Sequence, residues 1–135
     1  MHTPPVRAIL DTNVFVGAGF NRHSASYKLI DAARHRRLIQ VWAPETLAET
    51  QRVLDKIPRL SFAAVSDVFA DAGRHDGALD LAAVDFVTDP EDRKFAALSL
   101  AAGAAIVTSD DDLLSHAERL NVWKPSAFLT AHLLT

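Results

Sequence analysis

Three short apolar segments of the chain each lead into acidic side chains. They cover residues 6–10, 83–87 and 104–107. The acids that follow them are Asp11, the segment Asp89-Pro90-Glu91-Asp92, and Asp110. Apolar runs of four or five residues without polar alternation are typical of strands that are buried on both faces of a parallel sheet. The sequence therefore predicts buried strands that end close to carboxylates.

Segments with helical spacing separate these strand candidates. Their apolar residues recur every three or four positions, and serine, proline or aspartate stands where a helix would begin. The predicted helices span about 24–36, 44–57, 61–73, 89–103, 111–120 and 125–134, and two further strands span 38–42 and 121–123. Asp11-Thr12-Asn13 is expected to form a polar loop. Short strands that alternate with helices predict an α/β fold in three layers (α/β/α), with a central, mainly parallel sheet of about five strands.

The length and the composition fit one globular domain. The chain has 135 residues, of which 49% are hydrophobic and 23% are charged, and this balance is typical of a folded domain. We expect residues 1–135 to form a single domain. The formal net charge of −3 excludes a generally basic protein that coats nucleic acid. Any contact with nucleic acid must therefore use a local patch.

The residue types exclude several kinds of site. Cysteine is absent, which excludes disulfides, thiolate metal ligands and a cysteine nucleophile. The six histidines show no paired spacing that would predict zinc, and the sequence has no glycine-rich phosphate-binding loop. No apolar run reaches the ~20 residues of a membrane helix, and the N-terminus lacks the features of a signal peptide. We expect a cytoplasmic protein that does not associate with membranes.

The acids that follow the strands are expected to lie close together. The carboxyl ends of parallel strands share one edge of the sheet, and ligands bind at this edge in such folds. Carboxylates gathered there repel one another unless a cation or protons compensate. Oxygen ligands suit Mg²⁺ or Mn²⁺, and these ions support phosphoryl transfer by polarising the phosphate and activating water. The pattern therefore favours a metal site for phosphoryl transfer.

Each of these acids also has a structural interpretation. Asp11 can close a turn at the end of a strand. Asp89, which precedes a proline, is a typical helix N-cap, and Asp92 then lies in the first turn, where its charge favours the helix dipole. Ser109 can cap the next helix, with Asp112 in the answering third position. The functional interpretation therefore depends on the coincidence of several acids at one edge and not on any one of them.

Four segments of the chain resemble PIN-domain nucleases, in the expected order and over nearly the whole sequence. They are VRAILDTNVF (6–15), TDPEDR (88–93), AIVTSDDDLL (105–114) and WKPSAFL (123–129). The subgroup that the chain resembles is the toxin component of bacterial toxin–antitoxin pairs. The resemblance implies a metal-dependent endoribonuclease that hydrolyses RNA phosphodiester bonds with Mg²⁺ or Mn²⁺ and is restrained by an antitoxin protein.

The resemblance also implies roles for individual residues. By position, the catalytic acids and metal ligands are expected to be Asp11, Glu49, Asp92 and Asp110. Asp112 is a further metal ligand or a substitute for Asp110. Asn13 and Ser109 are expected to support the metal site as polar neighbours. Helical spacing alone would place Glu49 on a solvated face, so its assignment depends on the resemblance.

A phosphodiester substrate also needs nearby cations. Residues 34–37 form the densest basic cluster, but they equally suit the carboxyl end of a helix. Arg22 is kept as a candidate phosphate contact. The expected partners are the RNA substrate and an antitoxin protein, and a homodimer is an open alternative.

The sequence leaves other functions open. One alternative is a PIN-like module without metal affinity, which would only bind RNA or a protein. Another is a nuclease of the same kind that acts on DNA rather than on RNA. A receiver-like phosphoacceptor domain brings acids to strand ends as well. That domain expects adjacent acids after its first strand, where this chain has Asp11-Thr12.

Overall fold

The computed structural model describes residues 5–133, which form an α/β fold around a four-stranded sheet. The strands are β1 (Val6–Leu10), β2 (Leu38–Gln40), β3 (Ala105–Val107) and β4 (Val122–Trp123). The α-helices are α1 (Thr12–Phe20), α2 (Ala25–Arg34), α3 (Pro44–Lys56), α4 (Arg93–Ala102), α5 (Asp111–Leu114) and α6 (Pro125–His132). All strand pairs are parallel, and the strands lie in the order β2-β1-β3-β4. The predicted fold class is confirmed.

Helices cover the sheet on both faces because the side chains of its strands alternate. In β1, Ala8 and Leu10 belong to a core cluster with side chains of α1, α2 and α6, whereas Ile9 packs with side chains of α4. All three residues are almost completely buried. This burial explains the apolar run of β1, since a strand covered on both faces has no solvated side.

The sheet has one strand fewer than the sequence predicts, because residues 83–87 do not form a strand. Leu81–Val84 forms a short 3-10 turn, and irregular turns follow it. Val84 and Val87 are nevertheless fully buried, and they belong to a cluster with Ala96, Ala97 and Leu113. The apolar character of this segment is therefore explained by packing against α4.

The helices also differ from the prediction in three places. Residues 61–73 form three separate 3-10 turns and not one helix. The helix expected to reach Leu120 ends at Leu114. Conversely, α1 begins at Thr12, where a polar loop was expected. Leu134, which spacing places on the last helix, lies outside the described residues. None of the helices in residues 5–133 is long and apolar enough to cross a bilayer.

The pairing of β1 with β3 determines where polar groups gather. Leu10 lies opposite Val107, and the backbone N–H of Asp11 donates to the Val107 carbonyl at 3.0 Å. The first residue after β1 therefore lies beside Thr108, the first residue after β3. The strand order also changes direction here, because β2 lies on one side of β1 and β3 on the other. Open α/β sheets bind ligands outside the carboxyl ends of their strands at such a switch point.

Candidate metal centre

Three carboxylates meet at this switch point. Oxygen atoms of Asp11, Asp92 and Asp110 all lie within 4.8 Å of one another. Asp11 follows β1 directly, Asp110 follows β3, and Asp92 ends the 3-10 turn Pro90–Asp92 that leads into α4. Three segments that are distant in the sequence thus each contribute one acid to a single group.

Asp11 is the most deeply buried of the three acids and is held by three hydrogen bonds. Its Oδ1 accepts the backbone N–H of Thr12 at 2.7 Å, and its Oδ2 accepts the Asn13 amide at 3.0 Å and the Thr108 hydroxyl at 2.8 Å. Burial raises the pKa of Asp11 to about 6, although these hydrogen bonds act in the opposite direction. The carboxylate is therefore fixed in orientation, and its ionised form is less favoured than that of an ordinary aspartate.

Thr108 connects Asp11 to Asp110 and was not predicted from the sequence. Its fully buried hydroxyl donates to Asp11 and accepts the backbone N–H of Asp110 at 2.9 Å. Asn13 adds a second link, because its side-chain oxygen accepts the backbone N–H of Ser109 at 3.1 Å. The parallel pairing of the first and fourth predicted strands would have been the signal for Thr108, since it places the residues that follow the two strands side by side.

Asp92 is the least satisfied of the three acids. Its Oδ2 is buried and has no hydrogen-bond partner among the described residues. Burial, the adjacent Asp110 carboxyl group and the charges of Asp11 and Asp89 raise the pKa of Asp92 to about 8. A carboxyl group in these surroundings either keeps its proton or needs a positive charge beside it.

The three acids fit a hard divalent cation. Carboxylates supply only oxygen ligands, which suit Mg²⁺ or Mn²⁺ better than zinc. A cation among them offsets the burial and the repulsion that raise the pKa values of Asp11 and Asp92, and it gives the buried Oδ2 of Asp92 a partner. Asp11, Asp92 and Asp110 are therefore the residues that can hold a metal ion here.

Asp11 and Asp92 line a pocket at the switch point, and Glu49 lies at the wall of this pocket but outside the three-acid group. The pocket has a volume of about 240 Å³, and the acids that line it are Asp11, Glu49, Glu91 and Asp92. Glu49 pairs with Arg52 of its own helix, α3, and with Lys94 of α4. Its side chain is only 12% exposed, so the solvated face predicted from helical spacing is wrong. Burial alone would raise the pKa of Glu49, but the hydrogen bonds and charges of Arg52 and Lys94 outweigh it and lower the pKa.

Two other predicted site residues, Asp112 and Arg22, lie apart from the three-acid group. The Oδ2 of Asp112 accepts the backbone N–H of Asp89 at 3.2 Å and so joins α5 to the segment that carries Asp92. The N-cap of α5 is Asp110 and not Ser109. Arg22 lines a different, mainly apolar cavity of about 310 Å³, which is bordered by α1, α2 and residues 59–65.

Comparison with known proteins agrees with this geometry. A family profile described as PIN domain matches residues 7–112, which is well over half of the chain and includes all three clustered acids. A comparison with curated proteins finds no match. PIN domains are in general metal-dependent nucleases, and the acidic group at the switch point is a place where such a protein can hold its metal. From the extent of this match, together with the parallel sheet and the three acids that meet at its edge, the chain belongs to the PIN domain family.

Proposed function

We propose that the protein is an endoribonuclease that hydrolyses RNA phosphodiester bonds with Mg²⁺ or Mn²⁺. The observation that carries the proposal is the approach of Asp11, Asp92 and Asp110 to within 4.8 Å at the switch point of the sheet. Membership of the PIN domain family supports nuclease chemistry. The resemblance of the sequence to toxin nucleases supports RNA as the substrate.

The residues of the site have different roles in the proposed reaction. When bound, a divalent ion polarises the phosphate and lowers the pKa of the attacking water. Asp11, Asp92 and Asp110 hold the ion, and the hydroxyl of Thr108 keeps the Asp11 carboxylate in one orientation. Glu49, which is ionised and lines the same pocket, is the acid placed to orient the water.

Cleavage of a labelled single-stranded RNA tests the activity. The purified protein is expected to cut the RNA with Mg²⁺ or Mn²⁺ and to stop in EDTA, and Asp11→Asn is expected to abolish cutting. Asp71→Asn is the matched control, because Asp71 is exposed and lies outside the pocket. Metal-dependent cutting of DNA but not of RNA would overturn the proposal that RNA is the substrate. The absence of both cutting and a metal effect on the melting temperature would favour a module that only binds.

The proposal includes a cytoplasmic role as the toxin of a toxin–antitoxin pair, with an antitoxin protein as the partner. The resemblance of the chain to the toxin subgroup of PIN-domain nucleases supports it. Expression of the chain alone is expected to slow the growth of a bacterial host, whereas expression of the Asp11→Asn variant is not. Equal growth of the two strains at equal protein levels would contradict the toxin role.

A further inference from the structure

We propose that Lys94, assisted by Arg52, is the phosphate-binding contact of this site, and that Glu49 occupies this contact in the free protein. The ligand is a phosphodiester group of the nucleic-acid substrate. The inference rests on the proposed nuclease function and concerns how the substrate is held beside the metal.

Lys94 and Arg52 converge on one carboxylate oxygen. The Nζ of Lys94 lies 3.3 Å from Oε2 of Glu49 and 3.1 Å from Oε2 of Glu91. The Nη2 of Arg52 bonds to the same Oε2 of Glu49 and lies 3.9 Å from Glu91. Two cations from different helices, α3 and α4, therefore share a single anionic atom.

The two glutamates of this cluster form part of the wall of the pocket beside the three acids, and the two cations are held against them. Glu49 and Glu91 line the pocket together with Asp11 and Asp92. The Lys94 side chain is 22% exposed, whereas that of Arg52 is half exposed. Lys94 is thus the more buried cation, where weaker solvent screening makes its charge more effective, and Arg52 is the more exposed one.

A phosphodiester needs cations besides the metal at this site. Three ionised carboxylates outweigh one divalent ion, and the substrate adds further negative charge. Within residues 5–133, Lys94 and Arg52 are the only lysine or arginine side chains that form ion pairs with acids lining the pocket. The adjacent Arg93 is directed instead to the backbone carbonyls of Val87 and Asp85.

The chemistry of the cluster allows a phosphodiester to take the place of Glu49. Carboxylates and phosphodiesters both accept charge-assisted hydrogen bonds from lysine and arginine. A substrate that binds Lys94 and Arg52 releases the Glu49 carboxylate at the pocket wall, where it can orient water. Glu49 is therefore an internal anion that competes with the substrate.

Binding of a labelled single-stranded RNA oligonucleotide, measured by fluorescence anisotropy, tests this exchange. The measurement is made in Ca²⁺, and a denaturing gel verifies that the RNA is intact. Lys94→Gln is expected to weaken binding at least about fivefold. It should also reduce the slope of log Kd against log salt concentration by about one. Lys94→Arg should retain most of the affinity. Lys56→Gln, one turn beyond Arg52 on α3, is the control and should have an effect below about twofold.

Substitution of Glu49 gives an opposite and more diagnostic effect. Glu49→Gln removes the internal anion and is expected to tighten RNA binding; weaker binding would overturn the proposal. Adding Lys94→Gln in the Glu49→Gln background should still weaken binding. If the effect of Lys94→Gln disappears in that background, Lys94 only orients Glu49, and the proposal is wrong.

Two further results separate this proposal from the proposed function. Metal-dependent cleavage that Asp11→Asn abolishes, together with equal RNA binding by the wild type and Lys94→Gln, would overturn the role of Lys94 alone. Failure of every variant to bind RNA would overturn both. The affinity for Mn²⁺, measured by calorimetry, is expected to change less than about twofold in Lys94→Gln, since Lys94 is not a ligand. A large loss of Mn²⁺ affinity in Lys94→Gln would show that Lys94 supports the metal centre, and it would overturn the proposal that Lys94 binds phosphate.

Discussion

Single residues of the metal centre differ in protonation between the folded and the unfolded chain. The pKa of Asp11 is raised to about 6 and that of Asp92 to about 8. The pKa of an aspartate in an unfolded chain is about 4. The folded protein therefore binds protons that the unfolded chain has already released. The arrangement that creates the metal site consequently weakens the metal-free fold at neutral pH.

This difference predicts the pH dependence of stability. Below about pH 4 both states are protonated at these acids, and between about pH 4 and pH 8 only the folded state keeps the protons, so the free energy of unfolding should fall as pH rises. Urea denaturation in EDTA at a series of pH values measures this fall. Asp92→Asn should flatten it between about pH 6 and pH 8. Identical profiles for the wild type and Asp92→Asn would contradict the assignment.

The buried hydroxyl of Thr108 predicts a second effect at a single residue. Thr108→Val keeps the volume but removes the group that joins Asp11 to Asp110. We expect Mn²⁺ affinity to fall about 10–100-fold, as is common for residues that orient metal ligands. Thr108→Ser keeps a hydroxyl and should retain most of the affinity. Calorimetric titration gives the affinities, circular dichroism verifies the fold, and an unchanged affinity in Thr108→Val would exclude this role.

Individual helices and strands were predictable where the spacing of their apolar residues indicated only one type of secondary structure. β1, α2 and α3 lie close to their predicted positions. Residues 83–87 are as apolar as a strand, but they are buried against α4, and periodicity does not distinguish these two environments. α1 was missed because its sequence, TNVFVGAGF, is almost uniformly apolar and shows no amphipathic spacing.

The candidate site was predictable to the same extent. Asp11 and Asp110 were expected to meet because they follow parallel strands. Asp92 was expected at this edge after a strand, yet a 3-10 turn at the start of α4 brings it there. The contacts of Thr108 and Lys94 arise between elements that are far apart in the sequence. No local pattern marks such contacts.

The two faces of α4 predict different effects of the same substitution. Leu98 is fully buried against β1 and β3, whereas Leu100 is 53% exposed. Leu98→Ala should lower the free energy of unfolding by about 2–5 kcal/mol because it leaves a cavity. Leu100→Ala should change it by less than about 0.5 kcal/mol. Chemical denaturation of both variants measures the difference, and equal effects would contradict the packing of α4 against the sheet.

The candidate metal centre joins three parts of the molecule that are distant in the sequence. Asp11, Asp92 and Asp110 belong to the end of β1, the start of α4 and the end of β3. An ion held by all three stabilises only the folded chain, because the unfolded chain does not bring them together. Binding of the ion is therefore coupled to global stability.

This coupling predicts how metal changes thermal stability. Free Mn²⁺ at 100 times its Kd should add about 2.7 kcal/mol to the free energy of unfolding. Asp92→Asn should lose most of this gain and should be more stable than the wild type in EDTA, since it relieves repulsion. Asp71→Asn should respond to Mn²⁺ as the wild type does. Thermal denaturation measures these differences, and a much lower stability of Asp92→Asn in EDTA would show instead that Asp92 mainly stabilises the start of α4.

The pairing of β1 with β3 also governs when function can arise during protein synthesis. The Asp11 carboxylate is oriented by a hydroxyl that lies 97 residues later in the chain. Contacts of such large sequence separation close only after the intervening chain has been made, and their entropic cost delays them further. A chain released before β3 lacks both Thr108 and Asp110. An interrupted round of translation therefore yields a fragment without the complete group of three acids, and any activity that needs all three is delayed until the ribosome has passed β3.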